Sequence, residues 1–110
     1  MDSFLSKNIV FSLLACLFSS IIIAQNGKLK VVLDAGHGGK DIGATYHGYV
    51  EKNIALSVAL KVGKILEKEN GIDVVYTRKT AVFVELIERA NFANRVKANL
   101  FVSIHCNGVR

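Results

Sequence analysis

Val31-Val32-Leu33-Asp34-Ala35-Gly36-His37-Gly38-Gly39 decides the reading of this chain. An apolar run with the β-branched character of a buried strand stops at a histidine wrapped in glycines. Near the other end of the sequence, Leu100 to Ile104 repeats the arrangement, with His105 following the run and Cys106-Asn107 after it. Between them the pattern predicts strand Leu29 to Leu33, loop Asp34 to Val50, helix Lys52 to Glu69, strand Ile72 to Tyr76, helix Val82 to Lys97 and strand Leu100 to Ile104. Strands alternating with helices of this length define an α/β fold with a mainly parallel sheet covered by helices. In the first helix Ile54, Val58, Val62 and Ile65 recur at helical spacing and are expected to face the core. In the second, Phe83, Val84 and Ile87 with Ala90 and Ala93 take that role. Gly63 costs the first helix about 1 kcal/mol relative to alanine, and Asn70-Gly71 supplies a stop.

The long loop from Asp34 to Val50 is glycine-rich and has no regular period, so function is expected to concentrate there. Open α/β sheets gather their sites at the carboxyl ends of strands, which lets His37 and His105 converge. Two histidines and a carboxylate, Glu51, form a zinc-type set: a catalytic zinc takes three protein ligands and leaves the fourth position to water. Glu51 in a first helical turn is equally suited to the helix dipole. Asp34 is placed to hold the His37 ring or brace the loop, or to serve a turn or cap. His47 reads as a solvated loop residue, Cys106 as a small packing residue with a fourth zinc ligand as the lesser alternative, Arg78 and Arg89 as surface charges with contact to an anionic substrate as the alternative, and Asn107 as a loop brace or substrate hydrogen-bonder. Glu85 and Glu88 have no reason in the sequence to face the site. The glycines do not make a nucleotide site. Asp41 stands where the dinucleotide fingerprint needs its third glycine and where a phosphate loop needs Ser or Thr.

Residues 1–24 carry one lysine, an apolar run from Ile9 to Ile23 and Ala24 before Gln25, the pattern of a cleaved secretory signal peptide. The run is shorter than the roughly 18 residues of a spanning helix and is interrupted by serines. Leu13-Leu14-Ala15-Cys16 resembles a lipobox, but the apolar run continues beyond it. Residues 25–110 then suffice for one small domain. The formal charge of +5 is unchanged by removing the segment, whose single Asp and Lys cancel. A basic balance suits an anionic wall or a nucleic acid about equally. With Cys16 removed, Cys106 stands alone and an internal disulfide is excluded.

Leu33-Asp34-Ala35-Gly36-His37-Gly38-Gly39, Glu51-Lys52-Asn53, Tyr76-Thr77-Arg78 and Ser103-Ile104-His105-Cys106-Asn107 together resemble the zinc-dependent N-acetylmuramoyl-L-alanine amidases, a peptidoglycan hydrolase family. Leu86, Arg89 and Ala93-Asn94 fall where that family has its Leu, Arg and Ala-Asn, and the likeness runs from about Leu29 to Gly108. The resemblance implies Zn2+ held by His37, Glu51 and His105. It implies a substrate amide between N-acetylmuramic acid and L-alanine, and an exported protein acting in the periplasm or cell wall. Peptidoglycan is then the partner, with no nucleic acid and, after signal cleavage, no membrane; the resemblance names no regulatory protein. Ala81 departs from the family's usual acidic residue and Cys106 from its small apolar one. The family's general acid/base glutamate lies well downstream of the second histidine, beyond Arg110. The expectation is therefore a partial catalytic domain over 25–110, incomplete at the C-terminal end, with a truncated inactive fragment or wall-binding remnant as the alternative. An exposed sheet edge after Ile104 goes with it.

Overall fold

The computed structural model describes residues 6–14 and 27–107. Residues 6–14 are helical and exposed; the cleavage site expected around Ile22 to Ala24 lies outside the described residues. Among the described residues, no helix is long and apolar enough to cross a membrane.

β1 (Leu29–Ala35), β4 (Ile72–Tyr76) and β5 (Leu100–Ile104) form a parallel sheet in the order β4-β1-β5. Val31 pairs with Val74 on one side and Leu100 on the other, which fixes the register. A central parallel strand is covered on both faces, and Val31, Val32, Leu33, Asp34 and Ala35 are all buried. The α/β expectation holds. β1 runs two residues beyond the expected Leu33, because Asp34 and Ala35 pair with Ser103 and Ile104.

The loop after β1 is partly regular, contrary to expectation. β2 (Thr45–Tyr46) and β3 (Tyr49–Val50) make a hairpin around His47-Gly48. Both turn residues have positive φ, 48° and 83°, the geometry that matches the twist of a two-residue hairpin. His47 is exposed, as read from the sequence.

α1 (Glu51–Leu66) starts at the residue after β3 and packs on the sheet through Glu51, Ala55, Ala59 and Gly63. Here the expected stripe is corrected: Ile54, Val58 and Ile65 are exposed, and Val62 is only partly buried. A row of small side chains at i, i+4 spacing brings the helix axis close to the sheet, and the larger residues are turned aside. Ala35, Ala55 and Ala59 form the contact, with Leu56 and Ile104 against it. Gly63 is required at this closeness, since a Cβ there would collide with the Tyr76 hydroxyl. That hydroxyl donates to Glu67 Oε1 at 2.9 Å; burial and Glu67 push the phenol up to about 12. The helix ends at Leu66, short of the expected Glu69.

α2 (Leu86–Arg95) is also shorter than expected, because Val82 to Val84 form an irregular approach to it. Its buried residues are Arg89 and Ala93, while Ile87 and Ala90 face outward.

Arg78 and Arg89 overturn their reading as surface charges: both are buried. Arg78 donates from Nε to Ala35 O (2.9 Å) and from Nη2 to Gly36 O (2.8 Å) and Lys52 O (2.9 Å). Arg89 donates from Nη1 to Ala35 O (2.7 Å) and from Nη2 to His37 O (2.8 Å), and pairs with Asp34 Oδ1 at 2.9 Å. Asp34 also accepts from the Thr77 and Ser103 hydroxyls, each at 2.6 Å. It therefore braces the core below the loop and does not hold the His37 ring.

Burial raises the Asp34 carboxyl, but the bonds from Ser103, Thr77 and Arg89 outweigh it and hold the group below its ordinary value. Its stabilising contribution is complete above the unfolded value of about 4 and is lost as pH falls through the lower folded value. Asp34→Asn should cost roughly 3–5 kcal/mol near neutral pH by leaving Arg89 without its charge partner. It should also flatten the acid limb of stability. Urea midpoints from neutral pH to about pH 3 check this; a variant that retains the parent acid limb would refute it.

Candidate metal centre

Three elements deliver one residue each to the carboxyl edge of the sheet. β1 leads into Gly36-His37, β5 into His105, and the hairpin into Glu51 at the first position of α1. His37 Nε2 lies 2.9 Å from Glu51 Oε2. His105 Nδ1 lies 3.1 Å from the same oxygen and 3.2 Å from His37 Nε2. One potential ligand atom from each of these residues falls within 4.8 Å of the others, and they are the only such group of His, Cys, Asp or Glu among the described residues. The three sequence candidates thus meet.

The local backbone explains why they meet. His37 takes a left-handed φ of 63°, uncommon for a residue with a side chain and the kind of strain that surrounding structure must hold. Here the Arg89 bond to its carbonyl holds it. Gly36 lies flush against the second ring: a Cβ there would sit 2.7 Å from His105 Nδ1. Gly43, at φ 70°, lies against both other candidates, where a Cβ would be 2.7 Å from His37 Cδ2 and 2.8 Å from Glu51 Cβ. The rings stand edge to face, with centroids 4.9 Å apart.

Asp41 is a residue of the candidate site that the sequence reading missed. Its Oδ2 lies 2.8 Å from His37 Nδ1, and its main chain is fixed by reciprocal bonds with Gly38 at 2.8 and 3.0 Å. An acid four residues after a histidine across a glycine turn was the available signal. With Nδ1 engaged as a donor, the His37 Nε2 lone pair is directed into the cluster. The His37 hydrogen bond is also the main cause that holds the Asp41 carboxyl below its ordinary value. Lys52, which also had no assigned role, donates from Nζ to Gly39 O at 2.9 Å and ties the loop to α1.

Glu51 is only 5% exposed. Burial raises its carboxyl, but the N–H groups of Ala44 (2.9 Å) and Cys106 (3.0 Å), with His37 and His105 beside it, bring it down to about 2. It is a carboxylate with its charge fixed. Two imidazole nitrogens and a carboxylate oxygen are the donor set that zinc takes. Bonds of roughly 2.0–2.1 Å in a tetrahedron place ligand atoms about 3.3 Å apart. The observed 2.9, 3.1 and 3.2 Å separations fit that triangle with small outward movement. Cys106 contributes its main-chain N–H to Glu51 and its sulfur is not part of the group. Glu85, given no role from the sequence, lines a groove of about 670 Å³ that also holds His37, Asp41 and His105.

A parallel-sheet α/β domain with a His/Glu/His centre at the carboxyl edge is the class of protein defined here. The sequence model of the N-acetylmuramoyl-L-alanine amidase family matches residues 31–110, and the chain belongs to that family. It is 53% identical over 77 residues to the endolysin of Bacillus phage SPP1, covering 70% of this chain and 28% of that protein. It is 45% identical over 85 residues to the N-acetylmuramoyl-L-alanine amidase AmiA of Escherichia coli K12, covering 76% and 29%. Among solved structures, the amidase AmiC2 of Nostoc punctiforme superposes with a TM-score of 0.71 at 50% identity, over 76% of this chain and 46% of that one. The chain thus spans under a third of these two curated relatives and under half of the solved domain.

Gly36→Ala should separate the two rings, because the new methyl has no space beside His105. The measurement is the nuclear Overhauser contact between the His37 and His105 rings, expected in the parent and absent in the variant; its persistence would show that the loop can give way.

Proposed function

We propose that this chain is the zinc-holding part of an exported hydrolase that cleaves the amide between N-acetylmuramic acid and L-alanine in peptidoglycan. The observation that carries the reading is the convergence of His37 Nε2, His105 Nδ1 and Glu51 Oε2 from three separate elements. The family name, and the printed names of the amidase relatives, support the bond that is cut. Peptidoglycan is then the partner, and the periplasm or cell wall the place of action, with residues 1–24 as the export signal.

In this reading His37, Glu51 and His105 hold the metal, and Asp41 keeps the His37 ring in the ligating tautomer. Zinc bound there would supply Lewis-acid polarisation of the amide carbonyl and lower the pKa of water to about 7. The Arg78 and Arg89 bonds hold the His37 loop in position while substrate enters. Proton transfer to the leaving amine needs an acid or base within reach. Asp34 is committed to Arg89, Thr77 and Ser103, and Asp41 to His37. Among the described residues Glu85 is the groove carboxylate without a side-chain hydrogen bond, and we propose it as the acid or base within this chain, the family's own glutamate being expected beyond Arg110.

A second reading, in which the chain holds metal and wall without cleaving, is compatible with its span of 46% of the solved relative. The two part in one experiment. The chain is loaded with zinc, incubated with a defined muropeptide and examined by mass spectrometry for released stem peptide. One zinc per chain, lost in His37→Ala and in Glu51→Ala, is expected, with peptide release that depends on Glu51. Zinc at one per chain with no release would select the second reading, and full zinc affinity in His37→Ala would sink both. Glu85→Gln should lower release by about 10²-fold or more while zinc stoichiometry stays at the parent value; an unchanged rate removes Glu85 from the mechanism.

A further inference from the structure

The segment that carries the chain from His37 to Glu51 puts two tyrosines where the core has no use for them. Tyr46 and Tyr49 are direct cross-strand partners in the β2–β3 hairpin, so their rings leave from the same face. They are 74% and 69% exposed. The Tyr46 ring meets the His47 imidazole edge to face, with centroids 4.0 Å apart; two large apolar faces left in water on one side of a hairpin are unfavourable for an isolated fold and useful for a ligand.

Their surroundings say which ligand. Both rings line a cavity of about 500 Å³ that also takes in Glu51, Ile54, Cys106 and Asn107. This is the size range of a small-molecule subsite. The hairpin is tied to the metal centre through reciprocal contacts: Glu51 N–H donates to Ala44 O and Ala44 N–H to Glu51 Oε1, both at 2.9 Å. No lysine or arginine lines the cavity, and its single charge is the Glu51 carboxylate. An anionic stem peptide has no cation to meet there. A neutral sugar fits: the axial C–H face of a pyranose and an N-acetyl methyl are apolar surfaces that lie flat on aromatic rings, and Asn107 offers an amide in the same lining.

We propose that Tyr46 and Tyr49 form a glycan subsite that takes an N-acetylated hexosamine of the wall strand and thereby sets the sugar side of the centre. The assignment rests on the metal-centre reading for its purpose, while sugar binding itself needs no metal. The test is nuclear magnetic resonance on the zinc-free full chain with labelled tyrosine rings. The probes, titrated separately, are a β-1,4-linked N-acetylglucosamine tetrasaccharide and a free stem tetrapeptide.

The tetrasaccharide should shift Tyr46 and Tyr49 and leave Tyr76, which packs against Gly63 near the C-terminal end of α1, unmoved. Replacing both rings (Tyr46→Ala with Tyr49→Ala) should weaken binding roughly tenfold, the sum expected of two stacking contacts. Tyr46→Phe with Tyr49→Phe should keep it, since the faces remain. A tetrasaccharide that moves neither ring overturns the proposal, as does a stem peptide that moves both or an alanine pair with parent affinity. Zinc affinity of every variant is read by chelator competition. Sugar binding by a chain that takes no zinc would remove the metal reading and leave the subsite standing. Normal zinc affinity with no sugar binding does the reverse.

Discussion

Everything at the carboxyl edge of the sheet depends on how three successive carbonyls, those of Ala35, Gly36 and His37, are satisfied as β1 runs out. Buried carbonyls need donors, and the pairing of β1 with β5 ends at Ala35. Two buried guanidiniums supply the donors, Arg78 to Ala35 and Gly36, Arg89 to Ala35 and His37. Taking two cations out of water costs several kcal/mol each unless they are paired. Asp34, one residue before the first of these carbonyls, supplies the counter-charge and is itself steadied by Thr77 and Ser103 from the two flanking strands. Burial and the nearness of Arg89 accordingly lower the pKa of Arg78, with Asp34 opposing the change. The loop that carries His37 is thus fastened to the sheet by charge, and the left-handed backbone at His37 is affordable because its carbonyl is already held.

The strands and the three converging residues were legible in the sequence because their signals are local. An apolar run ends, a histidine follows, and a parallel sheet gathers such ends together. The arginines were not legible, since nothing in Tyr76-Thr77-Arg78 or in the periodicity around Arg89 says that unpaired carbonyls wait nearby; that need exists only once β1 is flanked by β4 and β5. The helix face was misread for a related reason. Hydrophobic periodicity weighs Ile54, Val58 and Ile65 heavily and Ala55, Ala59 and Gly63 lightly, yet closeness of approach selects the small row. Gly63, a cost by propensity alone, is explained by the Tyr76 ring lying against it.

Glycine does similar service in the centre. At Gly36 and Gly43 the missing Cβ is what lets the His105 and His37 rings and the Glu51 side chain approach one another. Close backbone thereby permits the close approach of the three candidate ligands. A side chain at either position would have to displace a ring, so the separation of the donor atoms is set by main chain, the stiffest part of the structure.

Glu51 shows how the centre and the fold share parts. Its carboxylate accepts from Ala44 before the hairpin and Cys106 after β5 while both histidines reach for the same oxygen. It stands at the N-terminus of α1, where the helix dipole favours negative charge. A protonated or neutral side chain there would loosen the hairpin, the helix start and the end of β5 together. The features that make Glu51 look like an ordinary first-turn acid are therefore the ones that keep it ionised and aimed, which a metal ligand requires. Its structural role and the ligating role proposed for it need the same charge in the same place.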